Sequence, residues 1–113
     1  MSEPLTPFQA PIGAHDVLAP ESARWEGLVA TFADLAHRYG FSLVISPVFE
    51  EIGVFNRGIG EQSEVATKEM YVFEDRGERL YALRPEATAG IVRAFVQHRP
   101  TPPWKVWLSL IHI

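Results

Sequence analysis

Cysteine is missing from all 113 residues, which excludes a disulfide, a thiolate metal ligand and a cysteine nucleophile. Long apolar runs are missing too, and no stretch approaches the roughly 20 apolar residues that span a bilayer. Met1 to Asp16 carries Pro4, Pro7 and Pro11 among scattered apolar side chains and lacks the apolar core of a secretory signal. Nor is there a surplus of positive charge. Ten Lys and Arg against 14 Asp and Glu leave a formal net charge of −4. Strong nonspecific attraction to phosphate backbones through counterion release is therefore not expected, and most of any nucleic-acid footprint would lie elsewhere. These absences fit a cytoplasmic chain that crosses no membrane.

Chemical signatures are sparse as well. Gly58-Ile59-Gly60-Glu61-Gln62-Ser63 lacks the third glycine of a dinucleotide loop, and no glycine-lysine loop of the Walker type is present. His15, His37, His98 and His112 lie far apart, without the spacing of a zinc helix, so no metal ligand is assigned. Internal repeats and low-complexity tracts are absent.

What is there suits one small domain or part of one, with 47% hydrophobic and 21% charged residues. Trp25, Leu28, Val29, Phe32, Leu35 and Tyr39 recur at steps of three and four, which predicts a helix from Pro20 to Tyr39 stopped at Gly40. Phe41 to Ser46 reads as a strand ended by Pro47. Gly53 to Ser63, with Gly53, Gly58 and Gly60, reads as a loop. Glu69 to Phe73 and Arg79 to Leu83 flank Asp75-Arg76-Gly77 as a hairpin. A second helix is expected from Pro85 to about His98, with Ile91, Val92, Phe95 and Val96 as its apolar stripe. Trp104 to Ile113 has the composition of a last strand. The layout is an α+β arrangement with antiparallel pairing.

Glu86 and Thr88 stand where a hairpin strand enters that second helix, and both side chains can accept hydrogen bonds from an ammonium group. Spacing alone favours a plainer role, with Glu86 at the positive helix end and Thr88 capping the first turn. His37 and His98, near helix ends, suit the negative pole of the dipole. Glu50 and Glu51 are neighbours on a strand, so they face opposite sides, and an ordinary solvated face is expected of them. Lys68, Glu69, Asp75, Arg76, Glu78 and Arg79 read as exposed hairpin charges.

From about Pro11 to Trp107 the chain resembles the start of the histidyl-tRNA synthetases, which are class II aminoacyl-tRNA synthetases. The resemblance is carried by Pro11-Ile12-Gly13 with Asp16, Tyr39-Gly40-Phe41, Ser46-Pro47, Phe49-Glu50, Phe55-Asn56-Arg57 and Ile59-Gly60-Glu61. Most specific are Lys68-Glu69-Met70-Tyr71 running into Phe73-Glu74-Asp75-Arg76-Gly77, and Leu83-Arg84-Pro85-Glu86 followed by Thr88-Ala89 and Val92-Arg93-Ala94. The fold implied is the N-terminal portion of the class II antiparallel-sheet catalytic domain, incomplete, over residues 1–107. The first helix, the strand after it and Pro47 would form the class's first motif, which builds a homodimer interface. Glu86 and Thr88 would hold the α-amino group of histidine, and the loop from Arg57 to Glu61 would lie near the active site. The implied reaction makes histidyl-adenylate from histidine and ATP with Mg2+, releases pyrophosphate, and passes histidine to tRNA(His), mainly through regions outside this chain.

The chain departs from the family pattern in three ways. Ala87 replaces a usual glycine, which would strain the turn if that position needs a positive φ. Ser63-Glu64 replaces a common Thr-Asp pair. The second-motif arginine, the third motif, the histidine-specific segment and the anticodon-binding domain are not in the sequence, so no catalytic residue is assigned and the chain alone is expected to be inactive. Leu108 to Ile113 resembles one reading frame of a transposon-end sequencing adapter and is expected to be non-native. Two other readings remain open: a regulatory subunit of ATP phosphoribosyltransferase, which is a paralogue of the synthetases, and a non-catalytic dimerisation or binding fragment.

Overall fold

The computed structural model describes residues 7–59 and 70–109. Helix α1 spans Glu21–Arg38, with Glu21 in its first turn and His37 and Arg38 in its last, each where the helix dipole favours its charge. Its end follows from Gly40, which takes φ +81°. The Gly40 N–H donates to the His37 carbonyl at 3.0 Å and the Phe41 N–H to the Ala36 carbonyl at 2.9 Å, the paired bonds of a Schellman stop.

The expected strand after α1 is shorter than Phe41 to Ser46. Strand β1 is Ser42–Leu43, and it pairs in parallel with β5, Val106–Trp107. The chain then turns through Pro47 into β2, Phe49–Glu51, and passes straight into helix α2, Ile52–Ile59. Helix α2 corrects the expectation of a loop from Gly53 to Ser63. Ile52 and Phe55 are one turn apart, and Phe55 is buried to 1% exposure, so packing of that face overrides the low propensity of Gly53 and Gly58. The remainder of that expected loop, residues 60–63, lies outside the described residues, as do Lys68 and Glu69.

Strands β3, Val72–Glu74, and β4, Leu80–Leu83, form the expected hairpin. With β2 they make a three-stranded antiparallel sheet in the order β2-β4-β3, in which Glu50 faces Ala82 across one ladder and Val72 faces Ala82 across the other. Antiparallel pairing thus holds for this sheet and not for β1 with β5. Helix α3 runs Thr88–His98, beginning three residues later than expected and closing on Arg99 in the left-handed region at φ 48°. His98 is its last residue, at the negative pole expected for it.

The sheet's two faces differ. On one, Glu50 and Ala82 are covered by α2 and α3, and Phe55 and Ala82 are the buried apolar residues there. On the other, Phe49 meets Phe73 and Tyr81 edge-on and those two are tilted against each other, with ring centroids 5.3–5.8 Å apart, and Phe49 and Phe73 stay exposed. The apolar stripe of α1 is present but largely uncovered: Leu28, Phe32, Leu35 and Tyr39 are all exposed by more than half. Phe32 does meet Trp107 of β5, centroid to centroid at 5.6 Å. No helix among the described residues is long and apolar enough to cross a membrane.

Candidate functional site

Strand β4 ends at Leu83, and Arg84-Pro85 carries the chain to Glu86 at the mouth of α3. Proline at that point cannot extend the ladder, so the chain leaves the sheet and reaches the helix through four residues, Arg84 to Ala87. The Glu86 carboxylate folds back onto α3. Its Oε2 accepts the Thr88 N–H and its Oε1 accepts the Ala89 N–H at 3.1 Å, so two of the helix's unpaired first-turn donors are satisfied. Capping is therefore done by Glu86, and not by the Thr88 side chain; the residue at the cap position, Ala87, makes no side-chain bond.

Ala87 has φ −102° and ψ −22°, an ordinary right-handed conformation. Its β-carbon therefore meets no backbone strain, and the position does not require glycine. The glycine that sits in a tight contact lies one turn on. Gly90 is the buried residue of α3, and a β-carbon there would sit 3.3 Å from Glu50 Oε1 and 3.7 Å from Ser46 Oγ.

Glu86 and Thr88 line one side of a groove of about 800 Å³, faced by Glu51, Phe55 and Arg57 of β2 and α2. The structure thus brings together Glu86, Thr88 and Arg57, which the sequence offered separately. Gly58 and Ile59 complete α2, whereas Gly60 and Glu61 lie outside the described residues. A second groove of equal volume runs between residues 13–17 and α1; it contains His15 and Asp16 but no lysine or arginine, and Trp25 and Val29 form its apolar wall. Pro47 is exposed and lines a separate hollow with Ser46, Arg93, Gln97 and Trp104.

The pair Glu50 and Arg93 escaped the reading of the sequence. Glu50, expected on a solvated face, is buried to 9% exposure, whereas Glu51 is exposed, so their opposite orientation holds but their shared surface role does not. Arg93 Nη2 donates to Glu50 Oε1 at 2.7 Å, Nε donates to Oε2 at 3.1 Å, and Nη1 donates to Gln97 Oε1 at 2.8 Å. A buried carboxylate needs such a partner, because an unpaired charge there would carry its full desolvation cost. The signal was an acid in the middle of a strand and an arginine within an apolar helix stripe, both inside family-like motifs.

Comparison with known proteins decides the lineage. The family model described as histidyl-tRNA synthetase matches residues 13–104, most of the chain and all of the groove. The chain belongs to the histidyl-tRNA synthetase family. It is 47% identical over 97 residues to a histidine–tRNA ligase of Corynebacterium efficiens, covering 86% of this chain and 23% of that protein. With the histidine–tRNA ligase of Geobacillus thermodenitrificans it shares 42% identity over 106 residues, covering 90% and 25%. The crystal structure of apo Staphylococcus aureus histidyl-tRNA synthetase superposes with a TM-score of 0.75 at 30% identity, over 89% of this chain and 28% of that one. The histidyl-tRNA synthetase of a Nostoc species gives 0.78 at 20% identity, a likeness of fold, over 96% and 24%.

The chain thus spans about a quarter of the length of the curated relatives it matches. The span that matches the histidyl-tRNA synthetase family contains Glu86 and Thr88 as well as the Glu50–Arg93 pair.

Proposed function

We propose that this chain forms the amino-acid-binding part of a histidine–tRNA ligase. The observation that carries the proposal is the position of Glu86 and Thr88, side by side on the groove wall within a segment that matches the family throughout. Glu86 spends two acceptor positions on α3 and keeps others, since an ionised carboxylate offers about four lone-pair sites. An α-ammonium group bound there gains charge-assisted hydrogen bonds to a carboxylate already fixed by the helix, and the Thr88 hydroxyl supplies a further acceptor. Preorganisation of this kind keeps the ordering cost of binding low.

In the reaction, a carboxylate oxygen of histidine attacks the α-phosphorus of ATP and pyrophosphate leaves. A terminal hydroxyl of tRNA(His) then attacks the acyl carbon and AMP leaves. The residues of this chain hold the amino group so that the carboxylate is presented in one orientation, and such positioning contributes about 7–11 kcal/mol in well-oriented systems. Magnesium would neutralise phosphate charge. The described residues do not fit that ion, because Glu86 is engaged by α3 and no group of three or more His, Asp or Glu gathers among them, so no step is derived through it.

The exposed α1 stripe and Pro47 support the proposal that the first motif joins two copies in a homodimer, and the family reading carries a cytoplasmic location with it.

The test is a graft. Residues 13–104 replace the matching segment of the Corynebacterium efficiens ligase, and histidine-dependent exchange of pyrophosphate into ATP is measured. Exchange, with a histidine KM raised at least tenfold by Glu86→Gln, is the expected result. A folded dimeric graft without exchange would overturn the reading and favour the regulatory paralogue.

A further inference from the structure

The segment that carries Glu86 and Thr88 is held at both ends by arginines, and both arginines are anchored on one short stretch, Ser46 to Glu50. At the entrance, the Arg84 N–H donates to the Val48 carbonyl at 2.9 Å and its Nη1 donates to the Ser46 carbonyl at 3.2 Å and to Ser46 Oγ at 3.4 Å. Beyond the site, Arg93 grips Glu50 with Nε and Nη2. Between the two anchors, Gly90 lets α3 lie directly on Glu50 and Ser46, with no room for a β-carbon at ordinary distance from Glu50 Oε1. Glu50 is itself fixed, in register with the fully buried Ala82 of the central strand.

We infer that Glu50 and Arg93 are positioning residues for the substrate-ammonium site, setting the height and rotation of α3 and so the place of Glu86 and Thr88. The inference rests on the reading of those two residues as the ammonium site. Arg93 is five residues past Thr88, about 7.5 Å along the helix axis. A fork that binds both oxygens of a carboxylate fixes rotation as well as distance, which a lysine ammonium, a single point charge, does not do. Displacement of a bound group by about 1 Å is enough to cost on the order of a hundredfold in a positioned reaction. Arg93 also lines the groove, but it makes no described hydrogen bond to Glu86 or Thr88, and its Nε and Nη2 are spent on Glu50 and its Nη1 on Gln97, which leaves the helix as the route of its effect.

The experiment uses the grafted ligase with two independent variants. Arg93→Lys keeps the charge and removes the fork, whereas Gly90→Ala keeps both charged side chains and sets a β-carbon 3.3 Å from Glu50 Oε1, so that α3 or the carboxylate must shift by a few tenths of an ångström. Each is expected to raise the histidine KM at least tenfold while the ATP KM stays within twofold, with the melting temperature of the graft recorded alongside. Loss of stability with both KM values unchanged overturns the inference, as does an equal rise in both. Should Arg93→Lys fail to fold, Gly90→Ala decides alone. Absence of exchange in the unmutated graft counts against the ammonium site itself, so the two failures are distinguishable.

Discussion

The carboxylate of Asp75 closes the β3–β4 turn. Its Oδ1 accepts the Gly77 and Arg79 N–H groups, each at 2.9 Å, and its Oδ2 accepts Arg79 Nε at 2.9 Å. The Arg79 N–H chiefly holds this carboxyl below the ordinary carboxylate range; partial burial opposes the shift, and the Gly77 N–H and the Arg79 charge reinforce it. A lowered folded-state pKa means that folding favours the ionised form. The stabilisation is full above the unfolded value of about 3.9 and is lost as the pH falls through the lower folded value. An NMR titration of the Asp75 carboxyl carbon is expected to show a midpoint below about 3.9; a midpoint at or above it would contradict the hydrogen-bond assignment. The turn itself was legible from Asp75-Arg76-Gly77. That Glu78, and not Gly77, takes the left-handed conformation at φ 62° was not, because an Asp side chain accepting two N–H groups redistributes which residue must turn.

Elements were legible where one apolar period ran uninterrupted and less so where glycine broke it. Helix α1 announced itself through six large apolar residues and ended at the glycine that looked like its stop. Helix α2 was hidden, because two of its eight residues are glycine and its helical character rests on one tertiary contact set around Phe55. Phe55 is therefore the element's anchor. Phe55→Ala is expected to cost about 3–5 kcal/mol through lost burial and the cavity left behind, a large part of the roughly 5–15 kcal/mol of a whole domain. Urea unfolding of the grafted ligase, together with hydrogen exchange of the α2 amides, measures it. Faster exchange confined to α2 and its neighbours is the expected pattern; unchanged exchange there would mean that α2 is held by something other than Phe55. The same reasoning explains why the candidate site was half legible. Glu86 and Thr88 are two residues apart in sequence, but Glu50 and Arg93 are 43 residues apart and meet only after β2 and α3 are packed.

Considered whole, the described chain has an apolar inside that is small for its apolar outside. Phe55 and Ala82 are its buried hydrophobic residues, whereas Leu28, Phe32, Leu35 and Tyr39 on α1 and Phe49 and Phe73 on the sheet remain exposed. A two-strand parallel pair of two residues each, β1 with β5, is too short to hold α1 by hydrogen bonding alone. Patches of this extent on a monomer mark interaction surfaces or aggregation liabilities. Residues 1–107 produced alone are accordingly expected to be poorly soluble and to associate as concentration rises, driven by these faces and by the open edges of β2 and β3. Sedimentation across a concentration series tests this. The pair Leu28→Lys and Leu35→Glu, on the outer face of α1, should shift the product toward monomer without weakening the β2-β4-β3 sheet. A monomeric, cooperatively unfolding product from the unaltered sequence would show instead that the small core around Phe55 suffices, and would revive the reading of a self-contained binding module.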